Sequence, residues 1–156
     1  MIHYEGEKTF PLPPTEVAAK LSDAAYLVGC LTDARVSEAT ADRAAWKLKP
    51  TLSFVTGSLD ITLEATGREP GKWVAFKVFT KGIGASSTVL TRLEFREADG
   101  GTAVRWTGDL TEVTGLLKMV PKGLIQATAQ KVIDDVWAAV AAKLTVLASG
   151  EPGAIS

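Results

Sequence analysis

Cysteine and histidine occur once each in this chain of 156 residues, as Cys30 and His3. A single cysteine forms no disulfide within the chain, so stability has to come from a hydrophobic core, and a chain of this length buries roughly 70% of its unfolded surface. His3 alternates with Ile2 and Tyr4 and is predicted to point outward, which excludes most catalytic and metal sites built on imidazole. Cys30 has no histidine or basic cluster beside it in the sequence, so we interpret it as a small buried apolar residue.

An excess of charge of either sign is also lacking, with 17 Lys and Arg against 18 Asp and Glu and a net charge of −1. This balance argues against a nucleic-acid binder, which carries a basic surface, and against a strongly electrostatic membrane anchor. No apolar run reaches the roughly 18–20 residues that a membrane span needs. No signal peptide is predicted, so we expect a cytoplasmic protein, with peripheral membrane association as an alternative.

The common catalytic and phosphate-binding motifs are missing: HExxH, CxxC, GxSxG and GxxxxGK[ST] do not occur. The glycine-containing segment at residues 81–86 joins two predicted strands, whereas a phosphate-binding loop leads from a strand into a helix. We therefore interpret this segment as a flexible hairpin. No metal and no cofactor are predicted.

Alternating apolar and polar residues cover most of the chain before residue 113 and predict strands. In the clearest case, residues 57–66, Leu59 and Leu63 alternate with Asp60 and Glu64. Residues 73–80 are apolar on both faces, so the orientation of that strand stays open. Two short helices, at residues 14–21 and 23–28, are predicted after the first strand. The predicted strands are residues 2–10, 33–40, 44–49, 57–66, 73–80, 85–97 and 102–112.

From about residue 116 the apolar period changes to three or four residues, which predicts a helix. Pro121 ends or kinks any helix begun before it, so the regular helix is predicted at residues 122–147. Its apolar stripe is expected to face the sheet and consists of Leu117, Val120, Leu124, Thr128, Val132, Val136, Val140 and Leu144, with Ile125, Ile133 and Trp137 widening it. These patterns predict one α+β domain, residues 1–148, and a flexible tail at residues 149–156.

Short sequence landmarks along the chain resemble those of a known family. They are Glu5-Gly6-Glu7 with Thr9-Phe10, Pro13-Pro14 with Glu16-Val17, Asp23 through Cys30-Leu31, Gly100-Gly101-Thr102, Gly115-Leu116-Leu117 and Gly123-Leu124-Ile125. Together with the order of the elements, they resemble the carbon monoxide dehydrogenase G-subunit family of the START-like, polyketide cyclase-like (SRPBCC) superfamily. The resemblance covers about residues 2–144. It implies a helix-grip fold, in which a curved antiparallel seven-stranded sheet surrounds a long C-terminal helix and two short helices follow the first strand.

The same resemblance implies a cavity, because in this fold the last helix does not fill the concave side of the sheet. Apolar pockets with few polar groups are typical of small-molecule sites. The predicted ligand-binding residues are Leu63, Phe76, Val89, Thr91, Leu93, Phe95, Trp106, Leu110, Glu112, Leu124, Thr128 and Val132. The large rings among them, together with Phe54, Trp73, Phe79 and Trp137, equally suit a closed core, and both interpretations stay open.

Two charged residues, Lys8 and Glu112, occupy positions that the alternation predicts to face inward. Both lie near ends of the predicted sheet, where a charged side chain can reach water. We therefore favour solvated charges at both positions over a polar contribution of Glu112 to the cavity.

Three functions are compatible with the resemblance. The first is binding or carriage of a lipophilic small molecule, such as a lipid or an isoprenoid quinone, serving a molybdenum hydroxylase of the carbon monoxide dehydrogenase type. The second is a polyketide cyclase-like or hydratase-like enzyme, in which Glu112 or Tyr4 would transfer a proton. The third is maturation or membrane recruitment of a carbon monoxide dehydrogenase-like complex. The expected partners are thus an apolar ligand and either a molybdenum hydroxylase complex or the membrane surface, and not a nucleic acid.

Overall fold

Seven antiparallel strands form one sheet in the order β1-β7-β6-β5-β4-β3-β2. The computed structural model of the protein describes residues 2–31, 34–48, 58–82 and 84–149. The strands are β1 (Ile2–Phe10), β2 (Arg35–Ala39), β3 (Arg43–Leu48), β4 (Leu59–Glu69), β5 (Trp73–Gly82), β6 (Ala85–Ala98) and β7 (Gly101–Gly115). All of the predicted strands are present, with ends shifted by a few residues. Phe54 and the predicted strand residues 33, 49 and 57 lie outside the described residues.

Two short helices connect β1 to β2, as predicted: α1 (Pro14–Leu21) and α2 (Ala24–Gly29). The Asp23 carboxylate caps α2 by accepting a hydrogen bond from the backbone N–H of Ala25 at 2.9 Å. The backbone N–H of Ala24 also donates to the carbonyl of Ala41 in the turn between β2 and β3, at 3.0 Å. These bonds fix α2 against the far end of the sheet.

A 3₁₀ turn (Leu116–Met119) and the long helix α3 (Lys122–Ser149) follow the last strand. The long helix was predicted at residues 122–147, and its start immediately after Pro121 is confirmed. Most of the predicted tail, residues 150–156, lies outside the described part of the chain.

The two faces of the sheet differ because consecutive side chains in a strand point to opposite sides. The concave face is apolar, and on β5 it carries Val74 and Phe76, which are 0% and 2% exposed. Phe79 is 36% exposed on the convex face, so the orientation of β5 is settled. The convex face carries ion pairs such as Arg96 with Glu7 at 2.6 Å. Exposed pairs of this kind contribute at most about 1 kcal/mol each, so the concave core dominates stability.

Helix α3 is anchored to the concave side mainly through its C-terminal half. The Trp137 ring lies 6.2 Å from the rings of both Phe10 and Trp106, measured between centroids. One to two turns later, Val140 and Leu144 are 2% and 0% exposed. Aromatic pairs at this spacing add to the burial of apolar area, so this cluster closes one end of the concave face.

The predicted apolar stripe of α3 is not buried along its whole length. Leu124, Val132 and Val136 are 45%, 49% and 38% exposed, so the prediction that they face the sheet is wrong. Residues spaced four apart advance by about 40° more than a full turn each time, because the helix has about 3.6 residues per turn. The stripe therefore winds around α3, and among its described positions Val140 and Leu144 are buried in the core.

Candidate ligand-binding site

The middle of the concave face is defined by the register of four strands. Tyr4 of β1 pairs with Gly108 of β7, and Gly108 pairs with Thr91 of β6. Thr91 in turn pairs with Phe76 of β5. Directly paired residues of antiparallel strands share a face, so these positions form one row across the sheet. The row has a buried aromatic ring at each end and two small residues between them.

Apolar residues border this row on both sides. On one side Leu110 pairs with Val89, and on the other Trp106 pairs with Leu93. The predicted site residues that share the concave face are buried or partly buried: Leu63, Phe76, Val89, Thr91, Leu93, Phe95, Trp106 and Leu110. The structure thus brings these predicted residues together on one surface, and their contact with a ligand stays a prediction.

Glu112 does not belong to this surface. Val89 of β6 pairs with Leu110, whereas the preceding residue, Thr88, pairs with Glu112, so β7 contains one extra residue at Thr111. Such a β-bulge shifts the alternation of the strand by one position. Glu112 shares the convex side with Thr88 and is exposed. The prediction that Glu112 faces inward is wrong, because a simple alternation cannot register the bulge. Lys8, by contrast, is solvent-exposed as favoured.

Gly108 contributes no side chain at the centre of the concave face. It is buried, and among the described residues a Cβ added there would have one atom within 4 Å outside its own chain neighbours, Val89 Cγ1 at 3.9 Å. Gly6 of β1 also faces the concave side, but a Cβ there would lie 2.8 Å from Trp106 Nε1. The sequence pattern placed Gly108 on the inner face without assigning it to the site. A glycine inside a strand is a signal for the close approach of a ligand or another backbone.

The hydroxyl groups of Tyr4 and Thr91 flank Gly108 in its row, and each already donates a hydrogen bond to a backbone carbonyl. Tyr4 Oη donates to the carbonyl of Gln126 in α3 at 3.0 Å, and Thr91 Oγ1 donates to the carbonyl of Thr107 at 2.6 Å. Burial raises the pKa of Tyr4 above its ordinary value, so the phenol stays protonated at neutral pH. The Tyr4 bond also holds α3 across β1.

The concave side also contains buried N–H donors. Within the described part of the chain, Trp46 Nε1 and Trp106 Nε1 are buried and have no hydrogen-bond partner. Buried polar atoms usually find a partner, so each of these indoles could donate to an acceptor on a ligand that reached it. Trp46 lies on β3 and Trp106 on β7, near opposite edges of the sheet.

Two of the three predicted site residues on α3, Leu124 and Val132, lie apart from the buried surface. Leu124 and Val132 are about half exposed, at 45% and 49%. Thr128 lies between them in α3. Contact between these residues and a ligand would require the ligand to extend from the concave face to an open side of α3.

A separate cavity of about 340 Å³ lies along β2, β3 and β4. Its lining consists of Arg35, Val36, Ser37, Ala45, Trp46, Lys47, Asp60, Ile61 and Thr62. None of the predicted site residues lines it. Lys47 and Asp60 form an exposed ion pair there, with an Nζ–Oδ1 distance of 3.6 Å, so this depression is open to water and is not the apolar site.

The remaining chemistry-bearing residues do not form a reactive cluster in the described ranges. No group of three or more His, Cys, Asp and Glu residues there could hold a metal ion. His3 is exposed beside Asp109 on the convex face, as its predicted outward orientation requires. Cys30 is 6% exposed, and burial raises its pKa although nearby Lys143 opposes the rise. A buried thiol of this kind is unreactive. No helix in the described ranges combines the length and apolarity of a membrane span.

This architecture is the helix-grip fold, and solved structures of similar topology support that assignment. A conserved protein from Geobacillus kaustophilus superimposes with a TM-score of 0.79 at 18% identity, over 92% of this chain and 95% of that one. TTHA0849 from Thermus thermophilus gives a TM-score of 0.67 at 15% identity, over 96% and 100% of the two chains. Ara h 8.0201, a Bet v 1-like protein, gives 0.61 at 13% identity, over 92% and 97%. Identities this low show the fold alone.

The family follows from a more specific match. The family model described as the carbon monoxide dehydrogenase G subunit (CoxG) matches residues 6–145, and the chain therefore belongs to that family. No curated protein matches the sequence. The predicted family and the predicted helix-grip fold are both confirmed.

Proposed function

We propose that the protein binds and carries an uncharged lipophilic small molecule between the concave face of the sheet and helix α3. The observation that carries this proposal is the apolar surface on the concave face, with buried Gly108 at its centre, where an added Cβ would meet one described atom within 4 Å, Val89 Cγ1 at 3.9 Å. Ligand pockets are concave, mostly apolar and supplied with few polar groups, and this surface has those properties. Membership of a family with the helix-grip fold gives independent support for a ligand-binding domain.

The composition of the surface restricts the ligand. The row through Gly108 and the two rows beside it contain no Asp, Glu, Lys or Arg on the four strands β1, β7, β6 and β5. Burial of an ionised group without a partner is strongly unfavourable. A lipid or an isoprenoid quinone fits this restriction, provided that any charged group stays outside the apolar region.

The direct test is native mass spectrometry of protein purified gently from its host and of variants that fill the concave face. We expect a co-purifying apolar molecule with the wild type. Leu93→Trp on β6 is expected to reduce its occupancy at least tenfold, because the indole would fill the space beside Gly108, with a packing cost of about 1–3 kcal/mol.

Leu90→Trp is the matched control, because Leu90 lies on the same strand but is 45% exposed on the convex face. It is expected to retain full occupancy. Equal loss of ligand in the Leu90 and Leu93 variants, or no co-purifying molecule in the wild type at native expression, would contradict binding at the concave face.

The same proposal includes that the protein serves a molybdenum hydroxylase of the carbon monoxide dehydrogenase type. Membership of the family supports this role. Affinity purification of the tagged chain from a host that expresses such an enzyme is the test. Retention of the hydroxylase through a salt wash supports a service role, and flotation of the chain with vesicles without the enzyme supports membrane recruitment instead.

The structure does not place the main catalytic candidate of the enzyme alternative, Glu112, on the concave face. It required a carboxylate in the cavity, and Glu112 is exposed on the convex face. Tyr4 remains on the concave side, but its hydroxyl is bonded to Gln126 and its pKa is raised. General acid–base catalysis needs a group tuned near the working pH, so these positions favour binding over proton transfer.

A further inference from the structure

Helix α3 has apolar residues that the sheet does not cover. We call Leu124, Val132 and Val136, which are 45%, 49% and 38% exposed, the exposed stripe. Their spacing by multiples of four residues places them along one side of the helix. Single exposed apolar residues are common on protein surfaces, whereas an aligned group of them indicates a contact with another molecule.

Two charges of opposite sign flank the exposed stripe. Lys131 and Asp135 directly precede Val132 and Val136, so both lie on the same flank, about 100° around the helix from the valines. The two side chains are 72% and 66% exposed, and Lys131 Nζ lies 3.0 Å from Asp135 Oδ2. An exposed pair of this kind contributes little to stability, so both charges can be used by a partner.

These two charges select the kind of partner. A uniformly anionic surface, such as an acidic bilayer, would attract Lys131 and repel Asp135, whereas a second copy of the chain matches both. When two copies of α3 pack antiparallel about a two-fold axis at the level of Ile133, identical flanks meet. Lys131 of each copy then lies opposite Asp135 of the other copy.

The apolar positions fit the same two-fold arrangement. Val132 and Val136 lie on either side of the axis level, so the valines of both copies gather around it. At equal distances from the axis level, Leu124 of one copy faces Ala142 of the other, and Ala142 is exposed. A large side chain thus lies opposite a small one at both ends of the contact, as in packed helices whose side chains interdigitate.

We propose that the protein forms a symmetric dimer through the exposed stripe, with the two α3 helices antiparallel. The contact from Leu124 to Ala142 is about 27 Å long at a rise of about 1.5 Å per residue. A strip of that length and about 10 Å wide covers less than the roughly 800 Å² per partner of a standard interface, so the dimer is weak and forms reversibly. Its contacts do not involve the buried concave residues, so dimerisation does not depend on the proposed ligand binding.

Sedimentation velocity of the full chain over a range of concentrations tests the proposal. We expect the wild type to shift from monomer to dimer as its concentration rises. Lys131→Glu makes the facing flanks acidic in both copies and Asp135→Lys makes them basic, so each variant alone is expected to dimerise at least tenfold more weakly. An equimolar mixture of the two variants is expected to recover dimerisation to within threefold of the wild type, because an acidic flank then faces a basic one.

Lys72→Glu is the matched control. Lys72 is 73% exposed and is paired with Glu69 at 3.7 Å, much as Lys131 is paired with Asp135, but it lies in the turn between β4 and β5. This variant is expected to dimerise like the wild type. A wild type that stays monomeric at every concentration overturns the proposal. A dimer that Lys131→Glu does not weaken, or a mixture that recovers nothing, overturns it as well.

A second measurement decides if either charge variant does not fold. Leu124→Cys combined with Ala142→Cys is expected to give a disulfide-linked dimer on mild oxidation, because these positions face each other between copies and are about 27 Å apart within one helix. Cys30 is 6% exposed and is not expected to compete. Leu90→Cys, on the convex face, is the control and is expected to remain unlinked. Equal linking of the control, or no link in the double variant, contradicts the antiparallel dimer.

Discussion

Two glycines on the concave face, Gly6 and Gly108, occur on neighbouring strands and have opposite surroundings. In front of Gly6 lies the indole of Trp106, which also contacts Trp137 of α3. In front of Gly108, a Cβ would meet Val89 at 3.9 Å and no other described atom within 4 Å. Close packing thus requires glycine at position 6 and does not require it at position 108.

The difference between these regions separates the part of the sheet that anchors α3 from the part that we propose to bind a ligand. The packed end, formed by Phe10, Trp106, Trp137 and the buried turn at Val140, ties α3 to the sheet. In the middle, two small residues, Gly108 and Thr91, lie between Tyr4 and Phe76 and contribute few side-chain contacts of their own.

The largest effect is expected from breaking the packed end. Trp106→Ala removes a side chain that is 6% exposed, and we expect a loss of about 3–5 kcal/mol in the free energy of unfolding, measured by urea denaturation. Trp73→Ala is the matched control, because Trp73 is only partly buried on the convex face beneath Arg92, 4.2 Å from its ring. A loss in Trp73→Ala as large as that in Trp106→Ala would contradict the assignment of the core to the concave end.

An intermediate effect is expected from adding one methyl group to each glycine. Gly6→Ala would place Cβ 2.8 Å from Trp106 Nε1, and we expect it to destabilise the protein by about 1–3 kcal/mol. Gly108→Ala meets no close contact and is expected to stabilise by about 0.4–1 kcal/mol, since alanine has less freedom in the unfolded chain. Thermal unfolding of the two variants side by side measures the contrast, and a change of the same sign in both would remove the distinction between the regions.

The smallest effect is expected from Glu112→Gln. The carboxylate is exposed on the convex face beyond the bulge at Thr111, so we expect unfolding free energy to change by less than about 0.5 kcal/mol. Ligand affinity, measured by displacement of Nile red fluorescence from the delipidated protein, is expected to stay within twofold of the wild type. A tenfold loss of affinity would place Glu112 in the binding site, on the inward side that simple alternation predicts.

Much of the fold could be read from local patterns, whereas the site could be read only in part. Alternation identified every strand and the apolar faces of β4, β6 and most of β7, because period-two patterning reports which side of a strand is buried. It failed for Glu112, since one inserted residue reverses the facing of everything beyond it. It left β5 undecided because both of its faces are apolar, and only pairing with β4 and β6 put Phe76 inward.

For helix α3 as well, the sequence pattern identified the element but not how it packs. Its apolar residues recur every four positions, and that spacing identified the helix and its start after Pro121. The spacing did not determine which part of the stripe meets the sheet. Leu124 and Val132 proved half exposed, whereas Trp137, which widens the predicted stripe, contacts Phe10 and Trp106.

The sequence by itself determined the order of strands and helices and the apolar concave face, because these depend on short-range periodicity, while the resemblance of its short landmarks to a known family implied the helix-grip fold. Tertiary structure alone decided that a Cβ would collide with Trp106 at Gly6 and with no described residue at Gly108, that Glu112 points to the convex side, and that α3 is buried most deeply in its C-terminal half. Those outcomes depend on which residues from distant strands become neighbours. A glycine is the same residue in every sequence, and only the side chains brought opposite it decide whether it marks close packing or a space for a ligand.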